Sequence, residues 1–236
     1  MIERVLTGAL LAQPENETKQ MVSESDIELI HALKNPPLMP LDETTIHVRR
    51  CRLAGDAIDA KGGKFRTEDL SRLLELVQGA PTLIGHNRNH IAVARFFGGE
   101  IEQHDEHSYI VPKLYWLKGH SRAEDLRLEI DGGLVNEASI AFLFRTPTCA
   151  ICGNDIRECP HRIGELYDGK QCHYFYDGIE AVTEGSLVYR GAEPGTALLP
   201  NQLSSVTVDA IHPYEKSPLD MPRIRLQGKL WRLVEV

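Results

Sequence analysis

Three cysteines and a histidine crowd into one short stretch: Cys149-Ala150-Ile151-Cys152, six residues, then Cys159-Pro160-His161. Three thiolates and an imidazole at such spacings can close a tetrahedron around Zn2+. Gly153 permits a tight turn after the first pair, and Pro160 restricts the backbone between the last two donors. Cys172, followed by His173, offers a fourth ligand in place of His161. Reduced thiols packed as small hydrophobes are the alternative, but this turn-rich, polar stretch has little core to receive them. A site filled by four protein ligands leaves no position for a reacting water, so the expected zinc is structural.

A second chemistry, acyl transfer by serine, needs a base within reach of the hydroxyl, a group that orients the base, and donors for the oxyanion. The G-x-S-x-G elbow of the α/β-hydrolases is absent from the sequence. Taken by residue type alone, a serine on a strand and a histidine in Gly85-His86-Asn87 are ordinary structural residues.

The elements around these residues can be read from periodicity. Ser25 and Glu28 suggest a capping box for a helix with Ile27, Ile30 and Leu33 on one stripe, stopped by Asn35-Pro36-Pro37. Ile46 and Val48 alternate and then shift phase to Cys51 and Leu53, the mark of a bent or bulged strand. Thr67 is placed to cap a helix carrying Leu70, Leu73, Leu74 and Val77. Short apolar runs at Leu83-Ile84, Ile91 to Phe97 and Tyr109 to Trp116 predict strands separated by Gly98-Gly99 and by a charged stretch. A further helix from Ser121, boxed with Glu124, ends at Gly132-Gly133 and leads into a strand from Val135 to Phe144. In that strand Ala138, Ile140, Phe142 and Phe144 share one face, and Ser139, Ala141 and Leu143 the other. Strand character resumes from Ile179 to Tyr189, making the cysteine segment an insertion, and weak strands follow around Val206, Val208, Ile211 and from Ile224 to Val236.

At 236 residues with 42% hydrophobic content, the chain can bury a substantial core. A formal charge of −8 argues against a nucleic-acid partner. The knuckle is no more basic, since Asp155, Glu158 and Glu165 outweigh Arg157 and Arg162. With no apolar run of membrane-spanning length and no signal-peptide pattern, a soluble protein of a reducing cytoplasm is expected. Clustered rather than scattered cysteines agree with metal binding over disulfides.

The order "PTLIGHNRN", a helix ending in "DGGL", "NEASIAF" and "TEGSLVYRGAEPGTAL" resembles the prohead proteases of tailed phages, relatives of the herpesvirus capsid protease assemblin. The resemblance covers roughly residues 44–198. It implies Ser139 as nucleophile, His86 as general base and then acid, and Glu184 as the group orienting the imidazolium. His90 and Ser186 are the substitutes if the register differs. Ala141 stands where the family often has glycine, and the herpesvirus relatives use a second histidine where this chain has Glu184. The implied fold is α+β, an antiparallel seven-stranded β-barrel flanked by helices with an inserted zinc knuckle. The expected organisation is an N-terminal peripheral segment (1–43), a protease domain (44–144 and 179–236) and the knuckle (145–178). The implied function is a serine endopeptidase that processes scaffold or major capsid protein precursors, and itself, within the assembling procapsid in the host cytoplasm. Homo-oligomerisation is left open by this reading. The competing expectation is a non-catalytic, zinc-stabilised capsid assembly or adaptor protein on the same fold.

Overall fold

The computed structural model describes residues 22–201 and the backbone of 223–226 and 229–232. Gln20–Gln202 form one compact unit, and a hairpin of two strands, Arg223–Leu226 and Lys229–Arg232, belongs to another. The protease domain expected to run to residue 236 therefore divides near residue 202. Val206, Val208, Ile211 and the apolar start of the chain lie outside the described residues.

Helix α1 (Glu24–His31) is capped two residues earlier than expected. Ser23, not Ser25, accepts from the Asp26 amide, while the Asp26 carboxylate accepts from the Ser23 amide. The predicted stripe is correct: Ile30 and Leu33 are buried, with Val22, Leu41, Ile46, Val48, Phe97 and Tyr115. The helix shares this core with the first long strand, β1 (Ile46–Arg52). The other face of β1 enters the main core through Cys51, and the chain breaks at Leu53 before β2 (Ala54–Gly55). That break is the phase shift visible in the sequence, and β1 and β2 pair with different parts of one later strand, His107–Leu117.

After β3 (Gly63–Lys64) comes a 3-10 turn, Thr67–Asp69, leading into α2 (Leu70–Leu76). Thr67 does not cap it; its hydroxyl donates to the buried Asp56 at 2.6 Å. Leu70, Leu73 and Val77 are fully buried as the periodicity requires. The strands β4 (Pro81–Ile84), β5 (Ala94–His104) and β6 (His107–Leu117) follow. Gly98-Gly99 does not separate strands but forms a bulge inside β5, and a side chain at Gly99 would collide with the β6 backbone. The charged stretch is the tip of the β5–β6 hairpin.

Helix α3 (Ala123–Asp131) begins after Ser121 without a side-chain cap. Glu124 accepts instead from Arg127 and meets His47 of β1 at 3.1 Å. Arg49, 1% exposed, donates to both carboxylate oxygens of Asp131 at 2.8 and 2.6 Å and lies over Trp116. Two polar residues on the inward face of β1 thus dock the helix that delivers the chain into β7 (Glu137–Cys149).

β7 is longer than the predicted Val135 to Phe144, and its partner β10 (Tyr174–Val188) also starts earlier than Ile179. The insertion shrinks to residues 150–173, holding a small hairpin of β8 (Leu166–Tyr167) and β9 (Lys170–Gln171) with an Asp168-Gly169 turn. The last strand of this unit is β11 (Ala197–Leu199).

The fold is mixed α and β, with one sheet of order β11-β1-β6-β5-β4-β10-β3, β2 on β6, and β7 on β10. It is not the purely antiparallel closed barrel expected. β4 and β3 both run parallel to β10, which the long connections between them allow. The ends of the sheet approach through a backbone hydrogen bond, Leu198 N–H to the Asn136 carbonyl at 2.8 Å, and no ladder closes it.

Candidate functional site

The residues nominated as catalytic come from three neighbouring strands: Ser139 from β7, Glu184 from β10, and His86 from the turn after β4. Ser139 lies directly opposite Ser186, and Ala141 opposite Glu184. Gly185 and Leu187 face the core, where a side chain at Gly185 would overlap Phe96.

A bulge makes this arrangement possible. Val182 pairs with Phe142 and packs on the core, so strict alternation would send Glu184 to the core as well. The register slips by one residue at Thr183, whose hydroxyl donates to the Ala141 carbonyl at 3.0 Å. That extra residue turns Glu184 and Ser186 to the face that carries Ser139.

Gly85 and His86 both have left-handed backbone, with φ of 60° and 58°. For histidine this is a sparsely populated conformation that the surroundings must enforce. The Gly85 amide donates to the Leu187 carbonyl at 2.9 Å, and the His86 amide donates to the Ser186 hydroxyl at 3.1 Å. Turned in this way, the imidazole reaches back over β10 and its Nδ1 meets Glu184 Oε1 at 2.6 Å. An ionised carboxylate only accepts, so Nδ1 carries the proton and Nε2 of the neutral ring keeps a free lone pair. Glu184 is 2% exposed, and its second oxygen accepts from Ser186 at 2.6 Å. The His86 side chain is 40% exposed.

His86, Ser139 and Glu184 line one open cleft of roughly 1780 Å³, walled on one side by Phe65, Phe142 and Tyr176 and on another by the loop from Arg190 to Thr196. The loop is pinned at several points. The Gly191 amide donates to Glu137, Tyr109 donates to the Pro194 carbonyl, and Glu193 accepts from the Gly55 and Ala57 amides at 2.8 and 3.0 Å. Burial pushes the Glu193 carboxyl up to about 8. The Ser139 hydroxyl makes no hydrogen bond among the described residues. Ser186 is fully buried and does not line the cleft, and His90 is exposed, its ring without a hydrogen bond among the described residues.

At the far end of β7 and β10, Cys149, Cys152, Cys159 and His161 gather with their donor atoms all within 4.8 Å of one another. The Cys149 sulfur lies 3.7 Å from His161 Nδ1, close to the edge of about 3.5–3.8 Å that a tetrahedron with metal–ligand bonds of 2.0–2.3 Å would have. All five cysteines are free. Gly153 takes the left-handed φ of 77° that its tight turn needs. This group can hold a metal ion. Cys172 is buried beside it, its thiol pushed up to about 11 by burial and by the neighbouring Cys149.

No known protein family, curated protein or solved structure matches the chain. Among the described residues no helix is long and apolar enough to cross a membrane. The residue overlooked as part of the constellation is Ser186, named only as a substitute nucleophile. Its signal is the i, i+2 spacing from Glu184, which puts both on one face of a strand.

Proposed function

We propose that this chain is a serine endopeptidase with Ser139 as nucleophile, His86 as base and Glu184 as the carboxylate behind it. One observation carries the reading: a buried carboxylate holds a partly exposed imidazole by Nδ1, one strand away from an unbonded serine hydroxyl in the same cleft. As Ser139 Oγ attacks the peptide carbonyl carbon, Nε2 takes the hydroxyl proton, and Glu184 remains ionised and stabilises the imidazolium. Collapse of the tetrahedral adduct breaks the C–N bond, and Nε2–H delivers the proton to the departing amine. Water, deprotonated by the same nitrogen, then hydrolyses the ester and returns the proton to Ser139. Catalytic hydrogen bonds to the nucleophile are commonly loose without substrate, which accommodates the unbonded Ser139.

The motif resemblance to prohead proteases points to scaffold or capsid precursors, and to the chain itself, as substrates within the assembling procapsid. The same resemblance implies that the sheet is related to a seven-stranded β-barrel. At the other end of β7 and β10, Cys149, Cys152, Cys159 and His161 would hold zinc in a structural role, all four positions being filled by protein. The test is labelling of the intact protein with a fluorophosphonate, read by mass spectrometry. A single adduct on Ser139 is expected, absent from Ser139→Ala; a folded, unlabelled wild type would leave only the adaptor reading.

A further inference from the structure

We infer that Ser186 positions the His86–Glu184 pair, an assignment that rests on the peptidase reading but can be tested apart from it. The hydroxyl has two roles at once. It donates to Glu184 Oε2 at 2.6 Å, and it accepts the His86 backbone N–H at 3.1 Å. The first bond fixes the carboxylate rotation, since with Oε1 on His86 Nδ1 both oxygens are then held. The second satisfies the amide of a residue forced into left-handed backbone, and so helps keep the imidazole over β10. One fully buried side chain therefore ties the histidine's main chain to the carboxylate that grips its ring. This is a closed loop of three hydrogen bonds through Ser186 Oγ, Glu184 and His86.

Ser186 cannot itself be the nucleophile in this geometry. It is wholly inaccessible, its proton is committed to Glu184, and its contact with His86 is to the backbone and not the ring. Ser139, opposite it on β7, lines the cleft. The two serines thus divide the work, one presented to substrate and one holding the base.

Ser186→Thr and Ser186→Val have nearly the same shape and differ in the hydroxyl, so their comparison isolates the hydrogen bonds from packing; Ser186→Ala serves where the extra methyl prevents folding. On the full-length protein, fluorophosphonate labelling should lose about 10–100-fold in maximal rate in the Val and Ala variants, with the half-saturating concentration within about twofold of wild type, and Thr should restore most of the rate. The low-field proton resonance of His86 Nδ1–H should persist in wild type and Thr and be shifted or lost in Val and Ala. Equal labelling rates and unchanged resonances in Thr and Val, or in wild type and Ala, would overturn the assignment. If wild type is not labelled at all, the peptidase reading fails, and the resonance alone decides whether Ser186 holds the pair.

Discussion

The two ends of the β7–β10 ribbon are stabilised by different means. At the end carrying Ser139 and Ser186, β10 also pairs with β4, and Ala138, Ser186 and Leu187 are at most 2% exposed. Polar groups there are held by hydrogen bonds in a dry setting, where each bond is strengthened and each missing one is costly. At the Cys149 end the ribbon runs past the other long strands of the sheet. Ile163 and Leu166 of the insertion are 47% and 72% exposed, so apolar burial contributes little. There Cys149, Cys152, Cys159 and His161 converge their donor atoms instead. The same pair of strands thus carries a buried, hydrogen-bonded polar group at one end and, at the other, a Cys/His cluster that could hold a metal ion.

The largest effect should come from the cleft. Ser139→Ala should abolish fluorophosphonate labelling, and His86→Ala should slow it by about three or more orders of magnitude, as loss of a triad member does. Circular dichroism should remain that of wild type. If His90→Ala is dead while His86→Ala labels normally, the base has been misassigned.

Removing the metal comes next. Structural zinc sites contribute about 10 kcal/mol or more of binding free energy that is also folding free energy. Purified protein should contain about one zinc per chain, and chelator or Cys149→Ser should release it. Hydrogen exchange should then accelerate across residues 150–173 while β4, β5 and β6 stay protected. A metal-free protein with unchanged exchange in the insertion would show that the cluster is not its support. Loss of labelling at Ser139 on chelation would show that the two ends are coupled.

Much of this contrast can be read in the sequence, and the reasons for the failures are physical. The donors of the metal site are local in sequence, so spacing suffices to group Cys149, Cys152, Cys159 and His161. The face assignment of Ser139 against Ile140 and Phe142 follows from simple alternation, and it holds. Glu184 is different: alternation from Val182 puts it in the core, and only the bulge at Thr183 corrects this. The motif order suggested its role, whereas periodicity would have misplaced it. The helix caps differ from expectation for a related reason. Ser25, Thr67 and Ser121 are all capping residue types, but Ser23 caps α1 in place of Ser25, Asp56 engages Thr67, and α3 starts with no side-chain cap. The parallel pairing of β4 with β10 joins residues about a hundred apart, and no local pattern encodes it.

Within the cleft, Glu184 and Glu193 make a finer comparison. Glu184 meets an imidazole and a hydroxyl, whereas Glu193 meets two backbone amides and is otherwise desolvated. Its carboxyl, raised from 4.5 to about 8, keeps a proton in the folded protein over a range where the unfolded chain has lost it. The folded state then binds more protons, so stability should fall as pH rises from about 4.5 to about 8. The change across that window is on the order of 4–5 kcal/mol. Urea unfolding at a series of pH values should show this decline in wild type and a flatter profile in Glu193→Gln. Equal slopes in the two proteins would place the titrating group elsewhere.

The smallest effect separates the two serines that face each other across β7 and β10. Ser139→Ala removes a hydroxyl that makes no hydrogen bond among the described residues and borders an open cleft, so no partner is stranded. Its unfolding free energy should stay within about 1 kcal/mol of wild type. Ser186→Ala removes a hydroxyl between a buried carboxylate oxygen and a buried-side amide, leaving both without that partner. Stranding such groups costs about 1–3 kcal/mol. Denaturant midpoints at constant m-value give the comparison directly. The expected pattern is an inversion, with the variant that loses all labelling nearly as stable as wild type and the variant that retains some of it less stable. Were Ser139→Ala the more damaging of the two, its hydroxyl would be structurally bonded in solution, and a serine so committed would be a poor nucleophile.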